Sequence, residues 1–175
     1  MEKAMKKIKG LMTIITALVM VMMMSVSAFA DSLTQDGAVN TALKDAGLTA
    51  EKVQGLEVEL EKGKYEIEFM RKDNRTEFEY EISASDGKIL EKSVDYVYSR
   101  TKSKKKIGAK AARKKAAKIS GIKYKTVSKG TCKYTYKKKL GKYTVKFRSG
   151  GYKYEVDVLA ATGKVIEFEK EAVRK

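Results

Sequence analysis

The residues able to do chemistry are few in kind and clustered by sign. Cys132 is the single cysteine of the 175-residue chain, and no histidine, tryptophan or proline is present. Without an imidazole there is no Ser-His-Asp triad, no Cys-His dyad and no HExxH or Cys2His2 zinc site, since each needs that ring as base or ligand. Cys132 alternates with Tyr134 and Tyr136, which predicts a core-facing thiol whose pKa is raised by burial and whose reactivity is low. A lone cysteine also leaves the fold without an internal disulfide.

Carboxylates and lysines supply the remaining candidates. Glu57, Glu59, Glu61, Glu66, Glu68, Glu77, Glu79 and Glu81 occupy alternate positions, so they are expected to share one face of a sheet. Acid and base catalysis by paired carboxylates needs a cleft that drives their pKa values apart, and a flat solvated face supplies none. Such a face keeps a sheet soluble, and it suits weak Ca²⁺ binding or a basic partner. Further along, Lys133, Thr135, Lys137, Lys142, Thr144, Lys146, Arg148 and Lys153 follow the same alternation with the opposite sign. The candidate partner-binding residues are therefore Glu57, Glu59, Glu66, Glu68 and Glu79 on an acidic face, and Lys133, Lys137, Lys142, Lys146 and Arg148 on a basic one. Neither catalysis nor a metal or cofactor is expected.

A basic sheet with tyrosines invites a nucleic-acid reading, because cations meet phosphates and rings stack on bases. The phases of the rings argue against it. Tyr134, Tyr136, Tyr143 and Tyr154 fall on the core-facing alternation, leaving Tyr152 and Tyr124 for stacking, and Gly150-Gly151 fits a hairpin turn better than a phosphate loop. Wall polymers, anionic headgroups or an acidic protein surface are the fitting anionic partners outside a cell.

An extracellular setting is written in the first thirty residues. Lys3, Lys6, Lys7 and Lys9 precede an uncharged run from Leu11 to Val26, and Ala28-Phe29-Ala30 fits the small-x-small rule, predicting a signal peptide over 1–30 cleaved after Ala30. No membrane span is expected after that cleavage. Residues 31–99 then carry 9 Lys+Arg against 16 Asp+Glu, a net of −7, whereas residues 100–175 carry 25 against 5, a net of +20. Arg100 to Lys106 has no apolar residue, and the expected basic linker is 95–105.

The two halves share one pattern. Leu33, Ala38, Ala42, Leu43, Gly47 and Leu48 recur as Ile107, Ala112, Ala116, Ala117, Gly121 and Ile122, at an offset of 74. Gly63-Lys64-Tyr65-x-Ile67-x-Phe69 recurs as Gly141-Lys142-Tyr143-x-Val145-x-Phe147, offset 78, and Gly87-Lys88-Ile89-Leu90 as Gly163-Lys164-Val165-Ile166, offset 76. Alanines at i, i+4 spacing followed by glycine predict helices at 35–46 and 109–120. Strict alternation predicts strands through Leu56-Val58-Leu60, Tyr65-Ile67-Phe69 and Phe78-Tyr80-Ile82, with a fourth from Ile89 after the Asp86-Gly87 turn. The second unit repeats these, with Cys132 at the position of Leu56.

On Ala42-Leu-Lys-Asp-Ala-Gly47, the paired strands and the two closing Gly-Lys turns, the chain resembles the PepSY family of peptidase propeptides and bacterial envelope proteins. The resemblance implies an α+β fold of two tandem repeats, 32–94 (acidic) and 106–172 (basic), each a helix packed on a four-stranded antiparallel sheet. It further implies a secreted or envelope-located, non-catalytic protein that binds or inhibits a peptidase or another envelope protein. The alternative is an adhesion or wall-polymer module acting through the basic repeat. Units this small have marginal cores, so the two are expected to share contacts through Val94, Tyr96 and Tyr98. An acidic and a basic sheet face of matching shape are also expected to attract, within a chain or between chains.

Overall fold

The computed structural model describes residues 33–73, 75–98, 106–137 and 140–173. The predicted signal peptide and residues 99–105 of the predicted linker lie outside the described residues.

Helix α1 (Gln35–Ala46) begins where the Thr34 hydroxyl accepts from the Gly37 N–H at 3.2 Å and ends at Gly47, which takes the left-handed conformation at φ 69°. Both are the terminal chemistries that spare a helix its unpaired backbone groups. A 3-10 turn (Ala50–Lys52) leads to strands β1 (Val53–Glu61), β2 (Lys64–Arg71), β3 (Thr76–Ser83) and β4 (Ile89–Tyr96). The same order follows again: α2 (Gly108–Ser120), a single turn α3 (Tyr124–Val127), then β5 (Thr131–Lys137), β6 (Leu140–Ser149), β7 (Tyr152–Leu159) and β8 (Val165–Ala172). Ala38 and Ala42 of α1, and Ala112 and Ala116 of α2, are fully buried, so each helix lies on the sheet through its smallest side chains.

The eight strands form one antiparallel sheet in the order β1-β2-β3-β4-β8-β7-β6-β5. This corrects the expectation of two four-stranded sheets. Each set of four ends on a strand with one unpaired edge, and β4 and β8 satisfy each other's backbone groups instead of leaving them to solvent. A transverse row of helix-side residues then runs from Phe69 through Phe78, Val94, Phe168, Val156 and Val145 to Cys132, each opposite the next. Of Val94, Tyr96 and Tyr98, expected to share contacts, Val94 lies within the paired register of the join, opposite Phe168. Strand β4 also runs to Tyr96, so 95 and 96 are strand residues and not linker.

The β4–β8 register is centred on Ser93 opposite Glu169, flanked by Glu91 opposite Glu171 and Asp95 opposite Glu167. Ser93 and Glu169 are themselves equivalent at the offset of 76 that relates the two closing segments. The join is thus isologous: each half presents the same edge to the other.

Strand β1 departs from its alternation. A bulge between Gln54 and Glu57, with Gly55 at φ 62°, shifts the register at its start, and no helix among the described residues covers its outer end. Leu56 and Leu60, expected in the core, are 41% and 62% exposed. Tyr136, at the matching outer end of β5, is 64% exposed for the same reason. Cys132 is half-buried, with its Sγ 3.9 Å from the Ala109 carbonyl oxygen, and burial pushes the thiol pKa up. Alkylation at pH 8 is expected to run about tenfold slower on the native than on the denatured protein. Equal rates would remove Cys132 from the packed layer.

A charged sheet face as the candidate functional site

The helices cover one face of the sheet and leave the other open. Three transverse rows of side chains lie on the open face. One runs Glu57, Glu68, Glu79, Ser93, Glu169, Glu155, Lys146; the second Glu59, Glu66, Glu81, Glu91, Glu171, Lys153, Arg148. The third runs Glu77, Asp95, Glu167, Asp157, Thr144, Lys133. All of the sequence candidates, acidic and basic, therefore share this one face, joined by residues that sequence reasoning misses: Glu91, Asp95, Glu155, Asp157, Glu167, Glu169 and Glu171. The signal for the last three is present in Ile166-Glu-Phe-Glu-Lys-Glu171, which alternates as clearly as any other strand.

The added carboxylates change the electrostatics of the face. The second half is not a basic counterpart to an acidic first half, because its β7 and β8 carry five carboxylates. The basic part is confined to β6 and β5. At its border Lys142 pairs with Asp157, Lys146 with Glu155, and Lys153 with Glu171 at 3.3 Å. Asp157 is buried and also accepts from the Thr144 hydroxyl at 2.5 Å. Being coplanar, the two charged regions cannot meet within one chain, which corrects that form of the expected attraction.

Like charges directly opposite each other across strands destabilise a sheet. Partial desolvation on the crowded face first, and the neighbouring carboxylates next, raise the pKa of Glu68, Glu79, Glu91 and Asp95 above the ordinary range. Glu167 is pushed furthest, to about 7, by burial and by Asp157 and Asp95 on either side, with Lys142 opposing. A carboxyl that holds its proton more tightly when folded stabilises the fold at low pH and loses that advantage as pH rises through the folded pKa. The melting temperature is expected to fall between pH 5 and pH 8 at low salt, and Glu167→Gln, which mimics the neutral acid, should flatten that fall. An unchanged slope in the variant would place the titration elsewhere.

Among the described residues no group of three or more His, Cys, Asp or Glu is arranged to hold a metal ion. No helix among them is long and apolar enough to cross a membrane.

Comparison with known proteins finds a family model that matches part of the first half. Residues 32–92 match the PepSY family, described as "Peptidase propeptide and YPEB domain". An uncharacterized protein of Streptococcus pyogenes serotype M6 is 48% identical over 65 residues, covering 35% of this chain and 48% of that protein. The chain thus spans about half the length of that relative. Among solved structures, the Bacillus megaterium YpeB C-terminal domain aligns at a TM-score of 0.48 and 16% identity, covering 82% of this chain and 65% of the other. A DUF2874 family protein from Bacteroides uniformis aligns at a TM-score of 0.27 and 14% identity, covering 76% and 87%.

Proposed function

We propose that the chain is an exported, non-catalytic binding protein made of two PepSY-like units, and that it restrains a peptidase or another protein of the cell envelope. The match of residues 32–92 to a peptidase propeptide domain carries this reading. Two things support it: the helix and four-strand order recurs over 108–172, and the chain lacks an imidazole base. A propeptide-like unit acts by occupying a surface, so a rigid sheet presenting fixed side chains is suited to the role without any reacting group.

The test is inhibition. Purified protein is titrated into the concentrated culture medium of the producing strain with a casein substrate, and the same medium is assayed from a strain lacking the gene. Dose-dependent loss of proteolysis, and raised proteolysis in the deletion strain, are expected. No change in either overturns the peptidase reading. Export is tested separately by N-terminal sequencing of the protein from medium and wall fractions: Asp31 should come first, and an intact Met1 in the membrane fraction would refute cleavage.

A further inference from the structure

Among the described residues, a second concentration of unpaired charge lies on the opposite side from the candidate face. Between Asp95 and Glu155 the sequence has no carboxylate and 21 Lys+Arg. Most of the described ones fall in two places. Those on β5 and β6 face the open side of the sheet, where Lys142 and Lys146 pair with Asp157 and Glu155. Those on α2, α3 and the turns after them point outward from the helical layer: Lys110, Lys114, Lys115, Lys118, Lys123, Lys125 and Lys129 are all exposed, and none pairs with an acidic group among the described residues. The corresponding helix α1 carries Asp36 and Asp45 against a single Lys44, so the feature belongs to the second half alone.

We infer that this helical layer, and not the sheet face, is a docking surface for a linear phosphate-bearing polyanion of the cell envelope. Lys110, Lys114 and Lys118 stand at i, i+4, i+8 and form a straight stripe with a rise of about 6 Å per step. Lys115, Lys123 and Lys125 widen it. A polymer carrying a phosphate on each repeat can follow such a stripe, releasing counterions wherever a lysine meets a phosphate. The open sheet face suits the same polymer less, because carboxylates dominate its centre and pair with Lys142, Lys146 and Lys153. A bilayer fits less well: a helix that lies in a membrane interface turns an apolar side to the lipid. The apolar side of α2 is already spent on the sheet through Ala112 and Ala116, and only Ile119 and Tyr124, 39% and 38% exposed, remain outside. The inference is independent of the peptidase reading, since it uses another surface and another partner.

Synthetic poly(glycerol phosphate) is the probe, with binding measured by fluorescence anisotropy of end-labelled polymer across a salt series. The wild-type protein should bind, with log affinity falling linearly with log salt. Lys114→Gln/Lys115→Gln/Lys118→Gln should weaken binding by roughly tenfold or more and reduce the salt slope by about 2, at about 0.7 for each phosphate left without its lysine. A second set, Lys110→Gln/Lys123→Gln/Lys125→Gln, should act alike, whereas Lys133→Gln/Lys137→Gln on the sheet face should change affinity less than about twofold. Glutamine keeps the helix propensity of lysine, so these exposed substitutions leave the fold intact. No binding by the wild type, or a larger drop in affinity from the sheet variant than from the helix variants, overturns the inference. Tighter binding to vesicles of anionic phospholipid than to the polymer overturns it in favour of a membrane. Salt-sensitive self-association without polymer, abolished by the helix variants, overturns it in favour of a second copy.

Discussion

Phe168→Ala is expected to cost about 3–5 kcal/mol, the usual range for deleting a buried phenyl ring, and to loosen both halves of the molecule together. Phe168 is buried on β8, opposite Val94 of β4 on one side and Val156 of β7 on the other, with its ring 6.3 Å from that of Tyr154. It is the bulkiest apolar side chain at the join. The open-face pairs there are Glu91 with Glu171 and Asp95 with Glu167, and on the helix side Lys92 lies opposite Lys170. Each of these is a like-charge pair, relieved only in part where Lys92 turns to Asp45 at 2.6 Å and Lys170 stands over the Tyr152 ring at 4.3 Å. Backbone hydrogen bonds and the Val94–Phe168 packing therefore carry the junction. Amide hydrogen exchange should show β3 and β7 losing protection together in the variant; an effect confined to β7 and β8 would mean the halves fold independently.

The second large effect is a contrast between neighbours. Ile67→Ala and Val145→Ala each remove a fully buried aliphatic side chain and should destabilise by about 2–4 kcal/mol in urea unfolding. Glu66→Ala and Lys146→Ala, one residue away on the open face, should change stability by less than about 0.5 kcal/mol. Their ion pairs, Glu66 with Lys64 at 2.9 Å and Lys146 with Glu155, are partly exposed on the open face and contribute little. Comparable destabilisation at 66 and 67 would mean that the strand faces have been assigned the wrong way round.

Much of this architecture is legible in the amino-acid order. Both long helices begin and end within a residue of where the alanine spacing and the two glycines put them, and β2, β3, β6 and β7 bury the side chains their alternation names. These are central strands under a helix, where the buried face is set by the chain's own period of two. The outer ends of β1 and β5 escape such reasoning because alternation gives the phase of a strand and not whether anything lies above it; Leu60 and Tyr136 have the right phase and no cover. The single sheet is not legible either. An edge pairing between two strands some seventy residues apart leaves no mark in the period of either, and the like charges of β4 and β8 argue against their meeting. Only the two outer parts of the candidate face stand out in the sequence, because the charge totals of the halves hide the acidic strands at the centre of the molecule.

At the junction the two halves meet edge to edge, as the subunits of a two-fold dimer do. The covalent tether between the halves makes their association intramolecular, at an effective concentration on the order of millimolar, and at that concentration a junction made largely of like-charge pairs and one aromatic contact forms without having to be strong. Cutting the tether would turn an intramolecular fold into a dilutable association, whose stability depends on how much protein is present. Because each edge accepts either partner, β4 of one molecule would also pair with β8 of another, and two chains could exchange halves into a closed, symmetric pair with every interaction of the monomer preserved.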